Sequence, residues 1–319
     1  MKIKRIKPRP DRAEGPIRKK RRLKYIAVLP SFITLMNGAC GVMAIVFASR
    51  SPDINWNLLF MRRSVVTSFT MAGYMIFLAM VADVLDGRVA RLTRTTSSFG
   101  GQLDSLCDAI SFGVAPAFIM IKLTDLHLEH LRFGPAGFSV ILGRVITFAA
   151  IFYAMCAVVR LARFNVENEE DESAHMYFAG LPSPPAAGVV VSLVIFQQRL
   201  LPKITNGAPE AFRTFAIITV CALPVITLLT GILMVTRIRY PHVANHLLRG
   251  KKTLASLLLI FASGFLIIWN IQLAMVVGFC GFALAGVIRW LIVGVLRKGS
   301  LPAKKAPPPE NPVSPPEGL

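Results

Sequence analysis

Long runs of apolar residues alternate with short polar segments along most of this chain. A helix needs roughly 20 residues to cross about 30 Å of hydrocarbon, and eight of the runs approach or exceed that length. They predict membrane-spanning helices near residues 26–48, 65–86, 103–121, 137–159, 181–198, 214–236, 253–270 and 273–296.

The fifth of these runs is the weakest candidate. Pro182, Pro184 and Pro185 crowd its start, and Gln197 and Gln198 close it early. If this run does not span, every later segment changes side, so the count of eight depends on it.

The composition supports the pattern. Of the 319 residues, 54% are apolar and 17% are charged, and the mean hydropathy is +0.58. A soluble domain of this size carries more charge and less apolar surface. We therefore predict an all-α, polytopic membrane helix bundle, and the composition excludes an ordinary soluble enzyme.

The net charge of +19 is concentrated near the N-terminus, because residues 1–24 hold 12 of the 36 Lys and Arg. A basic tail can bind nucleic acid, but one that directly precedes an apolar span more often sets topology and binds anionic headgroups. With the N-terminus in the cytoplasm, the tails and even-numbered loops carry 26 basic residues and the other loops carry 8. This asymmetry predicts cytoplasmic tails at both ends, a basic one at 1–24 and a disordered, Pro-rich one at 299–319.

The five cysteines all lie in apolar stretches and form no CxxC pair. Neither a disulfide framework nor a zinc site is indicated, and the cysteines are interpreted as small packing residues.

Four of the eight aspartates fall within one 26-residue window, at Asp83, Asp86, Asp104 and Asp108. A carboxylate in hydrocarbon costs on the order of 2.5–3.5 kcal/mol even on the milder insertion scale, so the cluster requires positive charge nearby. The spacings i, i+3 and i, i+4 place each pair on one helical face, and two antiparallel helices would bring both pairs to one depth.

Carboxylates supply hard oxygen ligands, which suit Mg²⁺ or Mn²⁺ and, with bridging, could hold two ions about 3.5–4 Å apart. The predicted connecting stretch, Gly87 to Gln102, also carries Arg88, Arg91 and Arg94. Metals and guanidinium groups together fit a pyrophosphate substrate. Two alternatives remain at this point, a set of structural ion pairs and a cation transporter, since buried acids often mark ion pathways.

These residues resemble the signature of the CDP-alcohol phosphatidyltransferase family at all eight of its fixed positions, which are Asp83, Asp86, Gly87, Ala90, Arg91, Gly100, Asp104 and Asp108. The segment 29–38 resembles the family's N-terminal motif, with Ser31 where Asn is usual. Segments 160–165 and 180–185 resemble the membrane-integral (type II) phosphatidylserine synthase branch. The resemblance covers roughly residues 26–200, so we expect the catalytic region at 25–200 and further transmembrane helices at 201–298.

The resemblance implies transfer of the phosphatidyl group of CDP-diacylglycerol to L-serine, with release of CMP, by a homodimer. It also implies that Asp83, Asp86 and Asp104 bind two divalent ions, and that Asp108 completes the second site and acts as general base. The residues implied to contact CDP-diacylglycerol are Gly87, Ala90, Arg91, Ser97, Ser31 and Thr34.

Acceptor contacts rest on fewer signals. Arg160 and Arg163 lie i, i+3 at the predicted cytoplasmic end of the fourth span, where they could bind the carboxylate of serine. The positive-inside rule explains the same arginines without a ligand. Asn165 and Ser183 are further candidates. Glycerol 3-phosphate or an inositol phosphate remains the alternative acceptor, although either would require a more basic pocket.

Overall fold

A computed structural model describes residues 18–50, 67–93, 98–131, 136–170, 178–205, 210–240, 264 and 266–299. The long helices in this part are α1 (Arg18–Ala48), α2 (Ser68–Thr93), α3 (Ser98–Asp108), α4 (Ala115–Leu131), α5 (Ala136–Glu170), α6 (Ser183–Thr205), α7 (Glu210–Val235) and α8 (Ile271–Gly299). A π-helical segment, Ala109–Val114, joins α3 to α4 without a break. Residues 266–269 are also helical.

Two very short strands complete the described structure. The strand β1 (Phe178–Ala179) pairs antiparallel with β2 (Arg239–Tyr240), with Phe178 opposite Tyr240 and Ala179 opposite Arg239. This pairing joins the segment before α6 to the segment after α7.

Six helices in the described residues are long and apolar enough to cross a membrane: Ser31–Ala48, Ser68–Leu92, Phe99–His127, Val140–Val166, Ile217–Val235 and Ile271–Ile292. Their outer surfaces are apolar, as on α5, where Ile141, Phe148 and Met155 are all more than half exposed. These three side chains recur every seven residues and so form one stripe along the helix. The chain is therefore an integral membrane protein with a helical bundle fold, as the sequence predicted.

The fifth predicted span forms α6, which is long enough to cross but lies outside that group of six. Its prolines lie at the start. A helix tolerates proline there because the N–H groups of the first turn make no intrahelical hydrogen bond that proline could remove. Its middle and end are buried against α2, α7 and α8, and Gln197 and Gln198 are 1% and 2% exposed. Because α6 is buried mainly against other helices, the helix as a whole can be less apolar than one that faces lipid. Most of the seventh predicted span, 253–270, lies outside the described residues.

The connection between the second and third spans is shorter than expected. The sequence predicts a linker from Gly87 to Gln102, but α2 continues to Thr93 and α3 begins at Ser98. Gly87, Ala90 and Arg91 thus lie on helix α2. Polar residues at the end of a span can remain helical once they leave the hydrocarbon, so hydropathy alone places the boundary too early.

Close packing of α1 on α3 and the π-helical segment sets the depth of the acidic residues. A Cβ on Gly38 would lie 2.9 Å from Sγ of Cys107, and one on Gly41 would lie 2.5 Å from Oγ of Ser111. Small residues allow helix backbones in a membrane to approach each other in this way. The cysteines in this part, including Cys107, are free thiols.

Candidate active site

The acidic cluster forms where the end of α2 meets the start of α3. Carboxylate oxygens of Asp83, Asp104 and Asp108 all lie within 4.8 Å of one another. Asp83 comes from α2, and the other two residues are one helical turn apart on α3. The end of α2 and the start of α3 therefore bring three of the four aspartates together.

Asp86 lies beside this group and is 5% exposed. The Thr34 hydroxyl and the Gly87 backbone N–H both hydrogen-bond its carboxylate. Its Oδ2 is buried and has no hydrogen-bond partner among the described residues, and the same holds for Oδ1 of Asp104. Buried acceptors of this kind are costly unless a ligand satisfies them.

Asp108 is the most buried of the three converging acids, at 7% exposure. The side-chain amide of Asn37 donates a 2.8 Å hydrogen bond to its Oδ1, and Ser111 donates one of 2.8 Å to the Asn37 carbonyl. The sequence pattern predicts no role for Asn37 or Ser111. An Asn in the middle of an apolar span is a signal that could have found Asn37, because a polar group there needs a partner.

The π-helical segment follows Asp108 directly. The backbone N–H of Ala115 bonds to the Ile110 carbonyl five residues earlier, and the Tyr153 hydroxyl donates a 2.9 Å hydrogen bond to the Phe112 carbonyl. Single π-helical turns inside α-helices occur frequently at functional sites. Here the wider turn joins the acidic start of this span to its buried apolar remainder.

Arg160 on α5 supplies positive charge to the cluster, and it interacts electrostatically with Asp83 and Asp108. Its Nη1 donates a 2.6 Å hydrogen bond to Oγ of Ser183, which is fully buried at the start of α6. Its Nε is buried without a hydrogen-bond partner in the described residues. The guanidinium group therefore lies between the carboxylates and the 180–185 segment.

The sequence profile of the CDP-alcohol phosphatidyltransferase family matches residues 27–223. The chain belongs to this family. The matched region of this CDP-alcohol phosphatidyltransferase contains the four aspartates, Arg160 and Ser183, and it ends within α7.

Curated relatives of this family member share one name, CDP-diacylglycerol–serine O-phosphatidyltransferase. A protein of that name from Helicobacter pylori is 30% identical over 269 residues, which cover 84% of this chain and 93% of the relative. One from Methanocaldococcus jannaschii is 26% identical over 276 residues, covering 86% and 96%. One from Saccharomyces cerevisiae is 33% identical over 170 residues, covering 52% of each chain. The resemblance stated from the motifs is confirmed.

The residues predicted to contact the nucleotide lie on two elements. Ser31 is half-buried on α1, and the hydroxyl of Thr34, also on α1, hydrogen-bonds the Asp86 carboxylate. On α2, Arg91 donates through Nε to the Gly87 carbonyl at 2.9 Å, and Ala90 lies between them in sequence. Ser97 and Arg94 lie outside the described residues.

The residues predicted to contact the acceptor are brought to the same end of the bundle. Arg163 is half-buried one turn beyond Arg160 on α5. Asn165 exchanges hydrogen bonds of 2.9–3.0 Å with Ser105 of α3. Ser183 accepts the hydrogen bond from Nη1 of Arg160.

Proposed function

We propose that this protein transfers the phosphatidyl group of CDP-diacylglycerol to L-serine and releases phosphatidylserine and CMP. The observation that carries the proposal is the convergence of Asp83, Asp104 and Asp108 beside the Arg160 guanidinium, within the region that matches the family. The shared name of the relatives supports CDP-diacylglycerol as donor and serine as acceptor.

The donor set fits divalent metal ions. Three carboxylates converge, and Asp86 and Asp104 each have a buried oxygen without a hydrogen-bond partner among the described residues; such oxygens are hard ligands of the kind that Mg²⁺ and Mn²⁺ prefer. We propose that Asp83, Asp86, Asp104 and Asp108 hold two such ions. When bound, the ions would neutralise the pyrophosphate oxygens and the charge that develops on the departing CMP.

Asp108 is our proposed general base. Because Asn37 occupies Oδ1, Oδ2 is the oxygen that accepts the proton of the serine hydroxyl. The serine oxygen then forms a bond to the phosphorus that bears diacylglycerol. The bond from that phosphorus to the oxygen of CMP breaks, and CMP leaves with the electron pair.

The end of α2 is our proposed nucleotide site, together with Ser31 and Thr34 of α1 and Ser97. The hydrogen bond from Arg91 to the Gly87 carbonyl uses Nε, which leaves the two terminal nitrogens to bind phosphate oxygens. Gly87 and Ala90 have no large side chain, so a base or phosphate can approach α2 closely at this point.

In this proposal Arg160 and Arg163 bind the acceptor, with Asn165 and Ser183 beside them. A guanidinium group suits the serine carboxylate because it can donate two parallel hydrogen bonds. Within the described residues, Arg160 donates one hydrogen bond, from Nη1 to Ser183. Nη2 is then the terminal nitrogen that binds the acceptor.

The reaction belongs at the cytoplasmic surface in this proposal, with both termini on that side. The acyl chains of the donor then stay in the bilayer while serine and CMP exchange with water. The excess of Lys and Arg on alternate loops supports this orientation. A homodimer is the proposed assembly.

Release of CMP by the purified protein tests the function. The protein receives CDP-diacylglycerol with Mg²⁺ or Mn²⁺, and serine, glycerol 3-phosphate and inositol phosphate are supplied in separate reactions. We expect release with serine alone. Release with another alcohol would keep the phosphotransfer chemistry and overturn the acceptor. No release in any reaction, combined with metal flux into liposomes, would favour a transporter.

A further inference from the structure

The position of Arg160 depends on Ser183, because Ser183 is its hydrogen-bond partner among the described residues. The carboxylates of Asp83 and Asp108 attract Arg160 electrostatically. Ser183, at the start of α6, accepts a hydrogen bond of 2.6 Å from the guanidinium group. What holds the segment before Ser183 therefore decides where the guanidinium group lies.

The segment before Ser183 is held by residues that follow the family match. The Gly180 N–H bonds to the Ile238 carbonyl at 2.8 Å, and the Leu181 N–H bonds to the Leu233 carbonyl at 3.0 Å. Gly180 has a φ of +86°, and a Cβ there would collide with the Met234 carbonyl oxygen. This segment is thus seated directly on the end of α7 and the residues before β2.

Tyr240 of β2 extends these contacts to α8. Its side chain is fully buried, its hydroxyl donates a 3.3 Å hydrogen bond to the Ala283 carbonyl, and its ring lies 5.5 Å from that of Phe282. Gly286 faces the same ring so closely that an added Cβ would collide with it. A continuous series of contacts runs from α8 through Tyr240 to Gly180 and Ser183.

We propose that Leu233–Tyr240 together with α8, here called the C-terminal clamp, positions Arg160 for the acceptor alcohol, with Tyr240 as its central positioning residue. This inference rests on the proposed function, because acceptor binding by Arg160 is part of it. It gives the residues after 223 a role in acceptor specificity, although they lie outside the region that matches the family.

In this arrangement the C-terminal clamp affects binding of the acceptor and not binding of the donor. The metal-binding carboxylates are carried by α2 and α3, and Asn37 is carried by α1, none of which belongs to the contacts that run through Tyr240. A displacement of Tyr240 should therefore move Arg160 relative to the cluster and weaken acceptor binding, while donor binding stays as it is.

Two glycine substitutions on α8 provide a matched test. Gly286→Ala crowds the Tyr240 ring, whereas Gly281→Ala places the same methyl group where no atom of the described residues lies within 4 Å. With full-length protein, we expect Gly286→Ala to raise the KM for serine about tenfold, the scale of a lost charge-assisted hydrogen bond. The KM for CDP-diacylglycerol should match that of Gly281→Ala.

Tyr240→Ala is the second variant, because it empties the position instead of crowding it. It should raise the KM for serine, whereas Tyr240→Phe, which keeps the ring, should have a KM for serine close to that of the wild type. An unchanged serine KM in both Gly286→Ala and Tyr240→Ala would overturn the clamp. A parallel rise of both KM values, or loss of folded protein in both variants, would also overturn it by making the role purely structural. The wild-type assay with serine tests the proposed function separately.

Discussion

The side-chain amide of Asn37 donates a 2.8 Å hydrogen bond to Asp108 across 71 positions of sequence. Asn37 is fully buried on α1, and its backbone carbonyl is in turn bonded by Ser111, three residues beyond Asp108. The two hydrogen bonds hold α1 at one register against α3 and the π-helical segment. They orient the Asp108 carboxylate so that Oδ1, and not Oδ2, accepts the hydrogen bond from Asn37.

Asn37→Ala removes the donor to Asp108. We expect kcat to fall about tenfold, since a lost hydrogen bond to a charged group costs about 1.5 kcal/mol or more. The KM for serine should change little, because Arg160 is untouched. Met36→Ala, at the exposed neighbouring position, is the control in the CMP-release assay. An Asn37→Ala enzyme as fast as this control would remove Asn37 from the orientation of Asp108.

Asp108→Asn keeps the shape of the side chain and removes the proposed general base. Turnover should fall by a factor of about 10² or more, the scale of lost general-base catalysis. Binding of CDP-diacylglycerol, measured by the shift in thermal unfolding on adding the nucleotide lipid, should persist. Near-normal turnover would show that another group accepts the serine proton.

Chelation of divalent metal should abolish CMP release, and added Mg²⁺ or Mn²⁺ should restore it. Electron paramagnetic resonance of Mn²⁺ gives a readout independent of activity. Asp104→Asn should weaken Mn²⁺ binding, since Asp104 contributes an oxygen to the converging group. Asp125→Asn, the same change on α4 outside that group, should bind Mn²⁺ like the wild type. Equal affinities in the two variants would place the metal elsewhere.

Arg160→Ala and Arg163→Ala should each raise the KM for serine, with the larger effect at Arg160. Arg160 already contacts Ser183 within the site, and the loss of a charge-assisted hydrogen bond corresponds to about tenfold. Arg144→Ala is the matched control, because Arg144 is exposed on the same helix about four turns before Arg160. If the KM for serine is the same in all three variants, Arg160 and Arg163 only help to set the orientation in the membrane.

Gly41→Ala should destabilise the protein, because its methyl group would lie 2.5 Å from Oγ and 2.7 Å from Cα of Ser111. Overpacking of this kind costs about 1–3 kcal/mol, more than the roughly 1 kcal/mol that Ala gains over Gly in a helix. Gly143→Ala on α5 meets no atom of the described part of the chain within 4 Å, so it should be neutral or stabilising. Thermal unfolding in detergent compares them, and a Gly41→Ala protein as stable as the control would show that α1 can move away.

The membrane helices and the acidic pairs could be predicted because both depend on local pattern. In hydrocarbon every backbone N–H and C=O must be satisfied within its own segment, so a long apolar run becomes a helix whatever it packs against. The spacing of Asp83 with Asp86, and of Asp104 with Asp108, then follows from 3.6 residues per turn. The family assignment likewise rests on residues at set spacings along the chain.

Helix ends and the burial of α6 followed less well from pattern. Hydropathy ended the second span near Asp86, whereas α2 extends to Thr93, because a helix can continue after it leaves the hydrocarbon. The polar residues Gln197 and Gln198 made α6 look like a weak span. Their burial at 1% and 2% exposure depends on neighbouring helices, which hydropathy does not take into account.

Sequence alone was enough to establish the class of fold, the acidic cluster and the family, since each is encoded by residues near one another in the chain. Only the folded bundle shows that Asn37 orients Asp108, that Ser183 holds Arg160, and that Gly180 rests on residues 233–238. These contacts join segments from 23 to 71 positions apart. They depend on which helices pack side by side and at what depth, and that is decided by the fit of small residues such as Gly38 and Gly41 against a distant partner.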